Sequence, residues 1–266
     1  MKKHLVFLSS VLLIQTVAVS VFAQQKPKAG DIISGIVTDS VSPLMAVYIT
    51  ELDSREEPKI QHEYVDLGLS VKWATCNVGA DKPEDYGDFF AWGELAPKES
   101  YTWENYRFRA GGNDYSDIRF SKYTSTNNEG KSLNVDDKTV LAPEDDAAHV
   151  YWGGEWRMPT YDEWNELHDS CTWTWTTVNS GPGLQFVNGY RIRSNVQGYT
   201  DSTIFLPAAG YYTSGNHIES SFNHYWSSSP LSKDSRYARC LSFTPEYIYN
   251  ETVRRSAGMP IRPVCP

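Results

Sequence analysis

Short runs in which apolar and polar residues alternate recur along most of the chain, whereas a helical period of apolar residues is rare. The clearest helical pattern follows Pro159, where Trp164, Leu167 and Cys171 are spaced by three and four residues and so share one face. A few short helices among many short strands predict an α+β fold. The predicted strands, separated by turns rich in Gly, Asn and Ser, are 63–69, 71–76, 88–92, 203–212, 224–229, 237–243 and 259–265.

The helix after Pro159 also has a strong start signal. Thr160 at the N-cap and Glu163 three residues later have the pattern of a capping box, and Pro159 can pack on Trp164 as a hydrophobic staple. This pattern predicts a helix over 160–170 that packs on an antiparallel sheet. The residues that we expect to be largely buried are Trp156, Trp164, Leu167, Phe205 and Leu206.

A second helix start is predicted at Pro143. Proline suits the first helical position, and Glu144, Asp145 and Asp146 then place negative charge in the first turn, where the helix dipole favours it. A calcium site is the alternative for the same carboxylates, and we prefer the helix start. The segment 97–135, which is polar and rich in Gly, Asn and Ser, is predicted to form long surface loops.

The first residues have the pattern of a secretory signal peptide over 1–23. Lys2 and Lys3 precede an apolar run, and small residues around Ala23 provide a cleavage point. Polar residues interrupt the run, which makes it too short for a confident membrane span, and an uncleaved anchor is the alternative. We therefore expect an exported protein, in the periplasm, on the outer-membrane surface or outside the cell.

Residues 24–62 are predicted to form a small separate segment. Two β-rich runs within 31–52 make one hairpin, which is marginal alone in water, and a charged linker follows over 53–61. The hairpin resembles the opening of the carboxypeptidase-regulatory-like β-sandwich, cut short. We expect it to be poorly ordered or to dock at the edge of the main domain, which spans 63–266.

The charge balance argues against a nucleic-acid partner. The formal net charge is −9, and it becomes −11 when Lys2 and Lys3 leave with the signal peptide. Phosphate binding needs clustered Lys and Arg instead. The remaining chain has no second long apolar run, so we expect it not to span a membrane after cleavage.

Four cysteines, Cys76, Cys171, Cys240 and Cys265, suggest two disulfides in an exported chain. Four cysteines allow three connectivities, and their spacing does not choose among them. No Cys-x-x-Cys pair occurs, which argues against a zinc or thioredoxin-like site. No cofactor is expected.

Several motifs occur in order over the main domain. They are DLGLSVKWATCNVGA, YGDFFAWGE, WGGEWRMPTYDEW, IFLPAAG, YWSSS and IRPV. On these motifs, residues 63–264 resemble the Fibrobacter succinogenes major paralogous domain, a family of exported bacterial proteins. That family looks like a branch of the C-type-lectin-like fold, related to the formylglycine-generating enzymes. WRMPTYDEW is similar to the RLPTEAEWE-type motif of those enzymes, and IRPV is similar to their closing GFRP strand.

The resemblance implies a C-type-lectin-like domain, with adjacent first and last strands and long loops that bind carbohydrate or protein ligands. It implies no common activity. Relatives commonly carry counterparts of Cys76 and Cys171 alone, which implies a Cys76–Cys171 disulfide and leaves Cys240 to pair with Cys265. The helix cysteine of C-type lectins normally bonds the last strand, and this rival scheme gives Cys171–Cys265 and Cys76–Cys240.

Catalytic and metal chemistry find little support in the sequence. Formylglycine-generating oxidases need two closely spaced cysteines near the C-terminus, whereas Cys240 and Cys265 are 25 residues apart. His217 and His224 could meet as metal ligands, but solvated loop histidines are the simpler account, and we predict no metal site. The Glu-Pro-Asn, Gln-Pro-Asp and Trp-Asn-Asp motifs of calcium-dependent lectins are absent from the sequence.

Aromatic residues make up 14% of the chain, and they can either fill the core or stack on sugar rings. We expect most tryptophans in the core. We expect an exported, non-catalytic binding or adhesion module for a glycan or protein ligand, with an enzyme related to formylglycine-generating oxidases or a purely structural surface protein as alternatives. The candidate ligand-binding residues, predicted around one loop, are Tyr211, Tyr212, Asn216, His217, Asn223, His224 and Tyr225.

Overall fold

The computed structural model describes residues 62–112, 115–125, 131–132, 135–181, 185–213, 216–218 and 222–266. These residues belong to one compact unit, Ile60–Pro266. The predicted signal peptide over 1–23, and the predicted hairpin and linker up to residue 61, lie outside the described residues.

The helices of the described residues are short. Helix α1 covers Ala147–Trp152 and helix α2 covers Tyr161–Ser170. The hydroxyl of Thr160 accepts a hydrogen bond from the Glu163 N–H at 3.2 Å, and the Glu163 carboxylate accepts one from the Thr160 N–H at 2.7 Å. The predicted helix and its capping box are therefore confirmed. Single turns of 3₁₀ helix cover Tyr115–Asp117 and Pro143–Asp145.

The helix start predicted at Pro143 is also confirmed, as the first residue of that 3₁₀ turn. Asp146 caps α1 by accepting hydrogen bonds from the Ala148 and His149 N–H groups at 2.9 and 3.3 Å. The buried carboxylate of Asp145 accepts hydrogen bonds from the Lys122 ammonium and the Tyr123 hydroxyl, both at 2.7 Å. The acidic triplet thus begins a helix and anchors neighbouring side chains.

Antiparallel strands form most of the remaining regular structure. In chain order they are β1 Tyr64–Val65, β2 Lys72–Ala74, β3 Arg109–Gly111, β4 Arg119–Phe120, β5 Lys131–Ser132, β6 Cys171–Asn179, β7 Phe186–Ser194, β8 Thr203–Pro207, β9 Tyr211–Thr213, β10 Asn216–Ile218, β11 Asn223–Pro230, β12 Tyr237–Phe243, β13 Ile248–Arg254 and β14 Val264–Cys265.

The α+β class is confirmed, because short helices pack beside these sheets. The central sheet has the order β11-β12-β13, and α2 packs on it. A second sheet has the order β6-β7-β8, and smaller groups are β9-β10 and β3-β4-β5. A third sheet, β1-β2-β14, brings the end of the chain beside an early strand, with Val264 opposite Trp73.

Sequence and structure agree best where strands are long. Strand β12 matches the predicted 237–243, and β11 includes the predicted 224–229. The predicted 203–212 is interrupted after β8, and 88–92 contributes only a single bridge, from Phe90 to Met259. Strands β6, β7 and β13 were not among the predicted segments.

Both faces of the central sheet are buried over β11 and most of β12, whereas β13 is partly exposed. Tyr225 and Leu241 face a cluster that contains Trp164 and Leu167 of α2. Their strand neighbours, such as Trp226, face a second cluster on the opposite side. Because side chains alternate along a strand, cover on both faces hides consecutive residues, as it does over the first six residues of β11.

The prediction that 97–135 forms surface loops is wrong for much of that segment. Its backbone is largely irregular, yet its aromatic side chains fill the second cluster, where they pack edge to face. Polar residues between them masked this role in the sequence. The buried members are Tyr101, Trp103, Tyr106, Phe108, Ile118, Phe120 and Tyr123.

Three of the five predicted core residues are fully buried: Trp164, Leu167 and Leu206. Trp156 and Phe205 are only half-buried, which corrects the prediction. Phe205 lies between Ile204 and Leu206 on β8, and alternation turns it away from the core that they face. Trp156 follows a Gly-Gly turn and packs edge to face on Trp152, with ring centroids 5.0 Å apart.

All four cysteines are free in the structure, so neither predicted pairing scheme is formed. Cys240 is fully buried on the central sheet, opposite Trp226 and Glu251, whereas Cys265 lies opposite Lys72 in the third sheet. The sulfur of Cys76 lies 3.6 Å from the hydroxyl of its neighbour Thr75. Cys240 and Cys265 thus lie on different sheets.

Across the ranges that the structure describes, neither helix has the length and apolar composition needed to cross a bilayer.

Candidate functional site

The candidate ligand residues predicted from the sequence lie on three strands rather than around one loop. The hairpin β9–β10 places His217 opposite Tyr212. Strand β11 follows and belongs to the central sheet. Tyr211 and Tyr212 lie on β9, Asn216 and His217 on β10, and Asn223, His224 and Tyr225 on β11.

Two of the β11 residues brace the core and present no surface to a ligand. Asn223 is buried, and its side-chain oxygen accepts a hydrogen bond from the Gly210 N–H at 2.9 Å. Tyr225 is fully buried, and its hydroxyl donates to the Pro207 carbonyl at 2.7 Å. They are buried because β11 is covered on both faces, whereas the sequence pattern placed these residues around a loop.

His224 is buried as well, beneath the ring of Tyr211, whose centroid lies 4.4 Å away. Its Nε2 is 3.2 Å from Glu251 Oε2, which also accepts a hydrogen bond from the Ser242 hydroxyl at 2.9 Å. The contact with His224 holds the pKa of the Glu251 carboxyl below its usual range. Among the described residues, no group of three or more His, Cys, Asp and Glu side chains is arranged to hold a metal ion.

The remaining aromatic residue on β9, Tyr212, packs on the second cluster. Its ring lies 4.9 Å from Phe89 and 5.3 Å from Tyr101, centroid to centroid. Tyr211 and Tyr212 are both half-buried. Among the residues predicted for ligand binding whose side chains the structure describes, these two therefore present the main accessible surface.

A concave surface lies elsewhere, beside the N-terminus of α2. It is a cleft of about 320 Å³ between residues 123–125 and 137–139, the first turn of α2 and the end of β11. We call it the arginine cleft. The lining residues that define it are Tyr123, Asp137, Lys138, Tyr161, Ser229 and Arg239.

The wall of the arginine cleft contains Tyr123 and Asp137 in the left-handed backbone region, with φ values of 59° and 46°. Such conformations cost of order 1–3 kcal/mol and persist where the surroundings over-determine them. The Tyr123 N–H donates to the Asp136 carboxylate at 2.7 Å, and its carbonyl accepts from Arg255 at 2.7 Å. Its hydroxyl is fixed by Asp145. The wall is therefore held in place before any ligand arrives.

Arg255 supports this wall from inside the core. Its guanidinium is fully buried and lies over the ring of Trp92 at 4.6 Å. It also donates to the carbonyls of Tyr237 and Lys122 at 3.2 and 3.4 Å. Burial lowers the pKa of Arg255 to about 10, which leaves the group charged at neutral pH.

The floor of the arginine cleft is a cation stacked on an aromatic ring. The guanidinium carbon of Arg239 lies 4.2 Å from the centroid of Tyr161. Tyr161 is the first residue of α2, and its N–H donates to the Ser229 hydroxyl at 3.1 Å. Lys138 adds a second cation, with Nζ 5.6 Å from the Tyr123 ring.

A second cleft, of about 250 Å³, lies on the other side of the α2 N-terminus. We call it the tryptophan cleft; its lining includes Val140, Pro143, His149, Trp156, Met158 and Thr160. The backbone carbonyl oxygen of Trp156 lies 3.2 Å from Nδ1 of His149, and this contact holds Trp156 in place. Asp146 accepts a hydrogen bond from the Met158 N–H at 2.8 Å, and burial raises the pKa of this carboxyl.

The two clefts adjoin across a narrow ridge. Consecutive residues line one cleft and then the other at 139–140, 160–161 and 228–229. The Leu141 N–H donates to the Ser228 carbonyl at 3.0 Å, and the Ser228 N–H donates to the Pro159 carbonyl at 2.7 Å. These backbone bonds fix the ridge, so the clefts keep a constant spacing.

Sequence reasoning missed the residues of the arginine cleft. A weak signal existed at Arg239, a charged residue inside the otherwise mostly apolar strand pattern YARCLSF. Tyr161 follows an N-cap and carried no signal beyond helix formation. Comparisons with protein-family models, with curated proteins and with solved structures find no match for this chain.

Proposed function

We propose that this protein is an exported, non-catalytic binding module and that its ligand is a glycan. The observation that carries the proposal is the pair of adjoining clefts, of about 320 and 250 Å³. Concave sites of roughly 300–1,000 Å³ suit small ligands, and the arginine cleft falls within this range, whereas a stable protein partner usually covers about 800 Å² of surface. A glycan ligand is therefore favoured over a protein ligand.

The chemistry of the two linings supports a glycan. Trp156 and Tyr161 are half-buried, so part of each ring faces a cleft. Aromatic faces stack on the apolar faces of sugar rings, and hydroxyl and carboxylate groups such as those of Ser229 and Asp162 pair with sugar hydroxyls. A rigid wall lowers the entropy lost on binding, and the network around Tyr123 provides one.

We also propose that the main domain, 63–266, is C-type-lectin-like and related to the Fibrobacter succinogenes major paralogous domain. The resemblance implies adjacent first and last strands; here the last strand, β14, pairs with the second, β2, and lies in the same sheet as the first, β1, which supports this proposal. The packing of α2 on the central sheet and the long irregular segments are also consistent with it. Export and an adhesive role at the cell surface rest on the signal-peptide pattern of residues 1–23.

Binding of the full-length protein to a glycan array tests the proposed function. The best glycan is then titrated by calorimetry against Tyr161→Ala and Trp156→Ala, each of which should weaken binding about tenfold or more, or ~1.4 kcal/mol. Tyr247→Ala is the matched control, because Tyr247 is 71% exposed and lines neither cleft. A folded protein that binds no glycan, or equal losses in all three variants, would refute the proposal.

A further inference from the structure

Arg239 differs from the other arginines of the core and of the cleft region. Arg236 pairs with Asp234 and Arg157 with Glu163, both at 2.5 Å. Arg255 and Arg262 donate to backbone carbonyls. Arg239 stacks on Tyr161, and within the described residues no carboxylate lies within ion-pair distance of it. Its guanidinium therefore faces the cleft with hydrogen-bond donors to spare.

The contact with the Tyr161 ring preorganises the Arg239 guanidinium to bind an anion. A guanidinium presents its donors in a planar fork that matches a carboxylate or sulfate with two parallel hydrogen bonds. The Tyr161 ring fixes the plane of the fork at 4.2 Å, and the Ser229 hydroxyl fixes Tyr161 through its N–H. Little side-chain entropy remains to be lost when an anion binds.

The charges around Arg239 support one anionic group rather than several. Lys138 is exposed on the same cleft and adds a second cation. Asp137 and Asp162 also line the cleft, so a highly charged ligand would meet repulsion. The carboxylates of the cleft can accept hydrogen bonds from sugar hydroxyls, and the hydroxyls of Ser229 and Thr139 can also bond to them.

The geometry points to an acidic saccharide as the ligand of the arginine cleft, with the fork of Arg239 binding its carboxylate or sulfate group and Lys138 adding a second positive charge. This inference rests on the proposed glycan-binding function and specifies its ligand class. A cavity of about 320 Å³ has room for only a short stretch of saccharide. The remainder of the chain is then free to continue across the ridge to Trp156.

Calorimetry on the full-length protein with matched probes tests the inference. The probes are glucuronosyl-xylotriose, which carries one carboxylate, its methyl ester, which removes the charge and keeps the sugar, and lactose 3′-sulfate, which carries one sulfate. At least one acidic probe should bind about tenfold or more tightly than the methyl ester, and added salt should reduce that difference. The preferred acidic probe tells whether carboxylate or sulfate is the natural group.

Variants assign the preference to Arg239. Arg239→Gln should bring the affinities for the acidic probe and the methyl ester to within about twofold of each other, and Arg239→Lys should restore part of the difference. Arg191→Gln removes the same charge at an exposed position of β7 outside the clefts, and it should leave the preference intact. Thermal melting checks that each variant is folded.

Four outcomes overturn the inference. The methyl ester binding as tightly as both acidic probes would overturn it while the glycan-binding function stands. An acidic preference that survives Arg239→Gln, or that Arg191→Gln abolishes equally, would place the anion elsewhere. Failure of the folded protein to bind any of the probes or any arrayed glycan would remove the proposed function, and the inference with it.

Discussion

Arg255 and Tyr123 lie 132 positions apart in the sequence, and a guanidinium nitrogen of Arg255 donates a 2.7 Å hydrogen bond to the Tyr123 carbonyl. Tyr123 is one of the two non-glycine residues described in the left-handed region, with φ of 59°. A buried cation thus holds the strained wall of the arginine cleft. Core packing and the shape of the candidate site are coupled through this one bond.

Replacing Arg255 by Met tests that coupling. The variant keeps most of the side-chain volume but leaves the buried carbonyl of Tyr123 without its donor. The free energy of unfolding should fall by about 2–4 kcal/mol, as measured by urea denaturation. Arg191→Met, at an exposed position of β7, should change it by no more than about 0.5 kcal/mol. Similar losses in both variants would contradict the role given to Arg255.

The N-cap of α2 should contribute measurably to stability. Thr160→Ala removes the hydroxyl that accepts the Glu163 N–H, and the free energy of unfolding should fall by about 1 kcal/mol. Thr200→Ala is the control, because Thr200 is exposed in a turn. A change in Thr160→Ala no larger than that of the control would mean that the capping box adds nothing to the stability of the folded protein.

Acid should destabilise the protein partly through Glu163. Burial opposes ionisation of this carboxyl, but hydrogen bonds from Arg157 and from the Thr160 N–H outweigh it and hold the pKa of Glu163 below its usual range. The folded state therefore binds fewer protons than the unfolded state between that lowered pKa and the ordinary value of about 4.3. The stabilisation is complete above pH ~5 and is lost as the pH falls through the lowered pKa.

Glu163→Gln isolates this contribution, since glutamine still fits the capping box but cannot pair as an anion with Arg157. The variant should be less stable than the natural chain by about 1–2 kcal/mol at neutral pH. The difference should shrink toward zero in acid, as followed by urea denaturation at several pH values. The raised pKa of Asp146 has the opposite effect on the pH dependence, but Asp146 is present in both proteins, so its contribution cancels in the difference. A gap that is constant with pH would contradict the assignment.

Thiol reactivity should distinguish the cysteines. Burial raises the pKa of the Cys171 thiol to about 11, and burial of Cys240 raises the pKa of its thiol further. Because the thiolate is the reactive form, a thiol reagent such as dithionitrobenzoate should modify half-buried Cys76 and Cys265 well before the buried pair. Protein purified without reductant and then denatured should release four equivalents of reporter. Release of no reporter would mean that the cysteines form disulfides, as expected from the sequence.

Helix α2 shows how far local sequence reaches. Thr160, Glu163, Trp164 and Leu167 lie within three turns of one helix, so their spacing alone specified the cap, the helix and its buried face. Strand β12 was equally accessible, because Tyr237 and Phe243, of types enriched in strands, bound a seven-residue run that lies between turns. The α+β class follows from such local patterns.

The arginine cleft shows where local sequence stops. Its wall, floor and cation come from Tyr123, Tyr161 and Arg239, which lie far apart in the chain and meet only after the central sheet and α2 have packed. The same packing buries Asn223 and Tyr225. A strand covered on one face leaves alternate residues accessible to ligands, whereas β11 is covered on both faces. The residues that cover it come from distant parts of the chain, so the sequence of β11 alone does not predict this burial.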